Sequence, residues 1–121
     1  MADVVVTVPM TAWEDWIAEG QLPGDEWDGE TYSYFSVPSY PRRIIAGERV
    51  YVVAGGRLRG FAPLVRVEHS ASRCLLVRAC VAVAMTTDET ITGFRGYRYR
   101  WWDRANERPF VSWRDLRVED V

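Results

Sequence analysis

Gly47-Glu48-Arg49-Val50-Tyr51-Val52-Val53-Ala54-Gly55-Gly56-Arg57-Leu58-Arg59-Gly60-Phe61-Ala62-Pro63-Leu64-Val65-Arg66-Val67-Glu68 is the stretch whose reading decides the fold. Gly-Glu ahead of an apolar run reads as a tight turn feeding a buried strand. Glycine supplies the φ > 0 geometry, and the carboxylate stays in solvent. The run at 49–54 is rich in valine, and Gly55-Gly56 behind it is a hairpin signal leading into a second strand at about 58–68.

Upstream, Val4-Val5-Val6-Thr7-Val8 is a short β-branched strand ended by Pro9. Thr11-Ala12-Trp13-Glu14 is a capping box, in which the Thr hydroxyl bonds the Glu amide and the carboxylate reaches back. It opens a helix that runs to about Glu19, with Gly20 at the C′ position. Trp13, Trp16 and Ile17 share one face of that helix. An acidic Gly/Pro loop, 21–30, carries Trp27. Alternating Thr31 to Val37 reads as a strand stopped by Pro38, followed by an irregular link with Arg42 and Arg43. Downstream, Cys74 to Met85 reads as one long apolar strand interrupted by Arg78, and a polar turn at 86–90 leads to a last strand at about 94–102. Pro109, Phe110 and Trp113 precede a short C-terminal turn or helix. Several strands, one early helix and no βαβ rhythm predict a single α+β domain, a small closed or half-closed barrel.

A length of 121 residues fits one self-sufficient domain. No apolar run reaches the ~18 residues of a membrane helix. Residues 1–6 lack a basic n-region and a cleavage-type segment, so a cytoplasmic location is expected. Cys74 and Cys80, six apart on one strand, would stand roughly 20 Å apart, too far for a disulfide. With one histidine, His69, and no Cys-x-x-Cys, neither metal nor cofactor is expected.

Charge is unevenly spread. Residues 1–30 hold eight acidic groups and no basic one, whereas residues 42–100 hold eleven arginines against Glu48, Glu68, Asp88 and Glu89. All fifteen cations are arginine, so every basic contact is a planar fork suited to phosphates, base edges and stacking. In the segment 94–104, Tyr97, Tyr99 and Trp101 would share one strand face and Arg98, Arg100 and Trp102 the other. That interleaving supplies phosphate contacts and flat platforms for bases. The same pattern also arises when the aromatic face is core and the arginine face is solvated. Arg42, Arg43, Arg57 and Arg59 sit in or beside connections, where arginines grip phosphates. Arg78, inside an apolar run, calls for an acidic partner from the N-terminal third. Of the six tryptophans, Trp27 is the pocket candidate because it lies on a loop. No Gly-x-Ser-x-Gly, Walker-type loop or metal-binding His pair is present, so no catalytic residue is expected.

Trp27-Asp28-Gly29, the Gly47-Glu48 turn, the strand Val50 to Val53 and the strand led by Gly60 together resemble the EVE/ASCH branch of the PUA-like β-barrels, over about residues 4–68. The resemblance implies a small mixed PUA-like barrel that reads RNA, or DNA with a modified or flipped base. The base would lie in a cleft between the helix at 11–19 and the barrel, with Trp27 as one wall and Tyr32, Tyr34 and Tyr40 as others. Arg42, Arg43, Arg57, Arg59, Arg98 and Arg100, with Trp102, would complete the nucleic-acid surface. EVE-type chains often continue Trp-x-Gly with Val-Arg-Asn, and here those positions are Glu30, Thr31 and Tyr32. Some ASCH-type proteins resemble amidohydrolases with a catalytic lysine, which this chain does not contain. A second class of function is a protein-interaction or regulatory domain docking a basic partner through its acidic N-terminal third. The two separate by salt dependence.

Overall fold

In the computed structural model, Val50, Val52 and Ala54 point to one side of a sheet while Tyr51 and Val53 point to the other, and all five are buried. A strand covered on both faces needs no polar alternation, which is why this run reads as continuously apolar. The structure describes residues 2–12, 15, 32–79 and 83–109, with Tyr32 and Ala84 by backbone only.

Among the described residues eight strands follow one another: β1 (Val4–Thr7), β2 (Tyr32–Val37), β3 (Arg49–Ala54), β4 (Arg57–Ser70), β5 (Arg73–Ala79), β6 (Val83–Thr86), β7 (Tyr97–Tyr99) and β8 (Arg108–Pro109). Their order across the sheet is β2-β5-β4-β3-β1-β7, with β6 on β4 and β8 on β6. β1 and β3 are parallel; the other pairs are antiparallel. Residues 10–12 are helical. The remainder of the expected helix, including Trp13, Trp16 and Ile17, lies outside the described residues, as do Trp27, Cys80, Phe110 and Trp113. The protein is thus a small sheet-rich domain. No helix among the described residues is long and apolar enough to cross a membrane.

The β3–β4 hairpin forms as its turn chemistry dictates. Gly55 and Gly56 both hold positive φ, 62° and 80°, as a tight two-residue hairpin turn requires. A bulge between Val52 and Val53 skips Arg59, leaving that side chain fully buried with Nε donating to the Ala54 carbonyl at 2.8 Å. β4 is long because it changes partner: Arg57 to Pro63 pairs with β3, and Leu64 to Ser70 pairs with β5. The expected strand at 74–85 corresponds to β5 and β6, both laid antiparallel on β4.

The sheet is not closed into a barrel, and each of its faces carries a hydrophobic cluster. Val4 and Val6 of β1, Val50 and Val52 of β3, Leu64 of β4, Leu76 of β5 and Val37 of β2 pack together, with Tyr97 and Tyr99 of β7 against them. The outermost strands, β2 and β7, come near each other without a ladder among the described residues. Instead Tyr97 Oη donates to the Tyr40 carbonyl at 3.3 Å, and a Cβ on Gly96 would lie 3.4 Å from Pro38 Cδ. These contacts run through the segment that follows β2.

The opposite face of β1, β3 and β4 is covered by the segment 87–107. Ile91, Trp102 and Phe94 of this strap pack on Val5, Tyr51, Val53, Leu58 and Phe61. Backbone bonds hold it down: Ile91 N to the Gly56 carbonyl at 2.8 Å and Arg100 N to the Asp3 carbonyl at 3.0 Å. The last strand is shorter than the expected 94–102. It ends at Tyr99, so the alternation assumed through Trp102 stops there.

Candidate functional site

Arginines sort into two groups once carboxylates are placed around them. Asp3, Glu68, Asp88 and Glu107 each hold at least one. Asp3 Oδ2 takes Arg100 Nε at 3.1 Å and Arg104 Nη2 at 2.7 Å, while its Oδ1 accepts the Arg49 amide at 2.9 Å. Burial works to raise the Asp3 pKa, but these donors outweigh it and hold the carboxyl below its ordinary range. Glu107, with a side chain only 6% exposed, accepts from Arg49 Nη1 at 3.0 Å, Tyr51 Oη at 2.6 Å and Trp102 Nε1 at 2.8 Å. Burial, then the Glu107 bond, push the Tyr51 phenol up to about 12. Glu68 pairs with Arg66, and Asp88 with Arg108. Arg73 is bonded to the Ser36 hydroxyl and carbonyl.

Arg42, Arg43, Arg95 and Arg98 form the other group. All four are exposed, and none makes an ion pair among the described residues. Two lie on rings: the Arg43 guanidinium sits 4.5 Å from the Tyr99 ring centre, and Arg98 sits 4.5 Å from that of Phe94. Arg43 also donates its amide to Tyr99 Oη at 3.1 Å. Burial and the neighbouring Tyr99 hydroxyl push the Tyr97 phenol above its ordinary range, while the Ser39 hydroxyl and the Arg42 charge oppose that shift. Tyr97 and Tyr99 meet edge to face at 5.5 Å, and Tyr40 meets His69 in the same way.

β7 therefore carries an arginine–aromatic stack on each of its two faces. One of its edges pairs with β1, and among the described residues no strand occupies the other. Beside it, Trp101 is 42% exposed, meets Phe94 edge to face, and donates Nε1 to Glu89 Oε2 at 2.9 Å. A half-open cleft of about 420 Å³ lies there, lined by Glu89, Thr90, Ile91, Thr92, Gly93, Arg98 and Trp101. A second, of about 450 Å³, flanks Glu89 from the Thr87, Trp102 and Asn106 side.

The expected site residues are placed as follows. Tyr40, Arg42, Arg43 and Arg98 gather around β7. Tyr34, 59% exposed, stands on β2 and pairs through its backbone with Val77 of β5. Arg57 and Arg59 belong to β4 rather than to loops. Arg57 Nη2 donates to the Thr87 carbonyl at 3.2 Å and ties β4 to the strap, and Arg59 lies in the interior. Neither is a rim residue, because the hairpin turn consumes only Gly55 and Gly56. Arg100 is committed to Asp3 and to the Trp102 carbonyl. Trp102 is core: it is buried beside Tyr51, and its indole N–H is spent on Glu107. Trp27, the side chain of Tyr32, the helix-side cleft and most of the acidic N-terminal third lie outside the described residues. Arg78 is buried, with its guanidinium 5.3 Å from the Phe35 ring centre; of the N-terminal acids expected to supply its partner, Asp3 is taken by Arg100 and Arg104, and Glu14, Glu19 and the acids at 25–30 lie outside the described residues.

Glu89 is the site residue that reasoning from sequence did not single out, while Phe94, Arg95 and Trp101 entered it only as members of the arginine–aromatic segment. Trp101 was assigned by alternation to the face of Tyr97 and Tyr99. It instead meets Phe94 and Glu89 on the strap side, because the strand has ended before it. No group of three or more His, Cys, Asp or Glu side chains able to hold a metal occurs among the described residues. Comparison with protein-family profiles, curated proteins and solved structures gives no significant match.

Proposed function

We propose that the chain is a cytoplasmic nucleic-acid-binding module, acting by binding rather than catalysis, that takes a single strand along β7 of a curled, PUA-like half-barrel. The observation that carries this reading is the sorting of the arginines. Among the described residues, four exposed arginines around one edge strand make no ion pair, and two of the four lie over aromatic rings. A stacked guanidinium keeps its N–H donors turned outward in the plane of the fork, the geometry that meets a phosphate with two parallel bonds. Tyr40 and Trp101, both 42% exposed, add flat apolar surface for unstacked bases. The bridge from Tyr97 to Tyr40 supports the half-barrel, since it brings the two ends of the sheet together as the EVE/ASCH resemblance requires.

The test is fluorescence anisotropy with labelled twelve-nucleotide DNA and RNA strands across a salt series. Binding to single strands falls with salt in proportion to the phosphates neutralised, with a slope of about −0.7 per contact. Arg43→Ala with Arg98→Ala is expected to weaken binding at least tenfold and to flatten the slope by roughly 1–1.5. Arg66→Ala with Arg108→Ala, which removes two arginines already paired with carboxylates, should leave both nearly unchanged. Equal losses in the two double variants would refute the assignment to β7.

A further inference from the structure

We infer that the cleft beside Trp101 is a base pocket selective for guanine, with Glu89 as the reading group. The inference rests on the nucleic-acid reading above and gives it a chemical preference. Three parts of a base site converge there. Trp101 offers an exposed ring as a stacking wall. Arg98, lining the same cleft, is held on Phe94 and has no carboxylate partner among the described residues, so it is available to the flanking phosphate. Glu89 brings a carboxylate to the rim, and its orientation is fixed, because Oε2 accepts the Trp101 indole N–H at 2.9 Å.

That bond couples wall to reader. The same contact that steadies the ring directs the carboxylate, leaving Oε1 and the second lone pair of Oε2 to accept from a ligand. A carboxylate only accepts, so it selects the base whose pairing edge presents adjacent donors. Guanine does so with N1–H and its 2-amino group, which meet the two oxygens in a bidentate, charge-assisted pair. Adenine and cytosine each place a ring-nitrogen acceptor next to their amino group. Uracil and thymine flank a single N–H with two carbonyls. In all four bases a lone pair would face the carboxylate, at a cost like that of any unpaired acceptor. Thr90 and Thr92 line the cleft and supply hydroxyls that can donate or accept, while Ile91 is buried in the core beneath. The cleft, about 420 Å³ and open to solvent on one side, has room for a nucleotide base.

The experiment uses nine-nucleotide thymidine probes in which only the central base is varied, read by anisotropy, together with guanosine and adenosine monophosphates titrated against tryptophan fluorescence. The parent is expected to prefer the guanine probe over the adenine probe by about 5- to 100-fold, the range of one bidentate base contact. Glu89→Gln retains an acceptor for the Trp101 indole but replaces one carboxylate oxygen by an N–H donor. It should abolish the preference for guanine over adenine, and because it removes a negative charge beside Arg98 the all-thymidine probe should bind no more weakly than to the parent. Equal affinity for all four central bases, or a preference that survives in Glu89→Gln, overturns the guanine pocket and leaves strand binding along β7 standing. If no strand binds, the β7 reading fails. In that case guanosine monophosphate alone quenching the fluorescence, with loss of the effect in Glu89→Gln, supports a free-nucleotide pocket, and no quenching by either nucleotide overturns the inference as well.

Discussion

Removing the Glu107 carboxylate should be among the most damaging single changes in this domain. The side chain is almost fully buried and accepts from three donors on two different segments: Tyr51 and Arg49 of β3, and Trp102 of the strap. In Glu107→Ala, Tyr51 Oη and Trp102 Nε1 lose their acceptor in an environment where neither residue reaches solvent appreciably. Each orphaned donor costs about 1–3 kcal/mol, so the expected loss is about 2–6 kcal/mol. Arg49 is left out of that sum because its side chain is 27% exposed and water can take over. Against a total stability of about 5–15 kcal/mol, the loss is a large fraction. Glu107→Gln keeps one acceptor oxygen and should cost about half as much; Tyr51→Phe removes a donor together with its demand and should cost least, about 1 kcal/mol. Urea unfolding followed by tryptophan fluorescence reads the order directly, as midpoint shifts at constant m. Alkaline titration of tyrosine absorbance gives an independent check. Tyr51 ionises at about 12, and in Glu107→Gln that value should fall, though burial keeps it above the ordinary one. The sign follows from a raised pKa of a group that is neutral when folded: its stabilisation is complete below about pH 10 and is lost as the pH rises through about 12. If Glu107→Ala shifts stability by no more than about 0.5 kcal/mol, as an exposed substitution would, the three-donor hub is not what holds the strap.

Two further outcomes are expected. Asp3 has a folded-state pKa held below its unfolded value, so it contributes stability that is present above about pH 4 and is lost as pH falls through the folded value; Asp3→Asn should flatten the acid limb of the stability profile and cost about 1–3 kcal/mol at neutral pH, whereas an unchanged acid limb would mean the Arg100 and Arg104 pairs contribute nothing. Gly55→Ala and Gly56→Ala both place a side chain at positive φ, but a Cβ at Gly55 would lie 2.7 Å from Met10 Sδ and 2.8 Å from Arg59 Nη2, while one at Gly56 meets nothing within 4 Å. Both should therefore lose about 1 kcal/mol to backbone strain, and only Gly55→Ala should lose appreciably more; equal midpoints in thermal melts would show that Met10 and Arg59 yield freely.

What could be read from the sequence was whatever depends on neighbours in the chain. The β3–β4 hairpin is local chemistry, a glycine pair with the right φ preference between two apolar runs, and β3 spans the expected 49–54. β2 and β1 likewise stop at the prolines and polar residues that announce their ends. The last strand failed because its length is set from afar. Arg100 gives its amide to the Asp3 carbonyl, 97 positions earlier, and the chain then turns at Asp103, whose carboxylate accepts the Ala105 amide and opens a short 3-10 turn, Arg104–Asn106. Beyond Tyr99 no alternation rule applies, so Trp101 stands exposed beside Phe94 and Glu89 while Trp102 is buried against Tyr51. The candidate site was half legible for the same reason. A chain whose cations are all arginine presents fifteen equivalent forks, and composition cannot say which are spent inside the fold. That depends on where a few carboxylates land. Asp3 claims Arg100 and Arg104, Glu107 claims Arg49, and Asp88 claims Arg108, each across more than nineteen positions of sequence. Among the described residues, Arg42, Arg43, Arg95 and Arg98 stay exposed and outside every ion pair, and all four lie on β7 or on the segments flanking it.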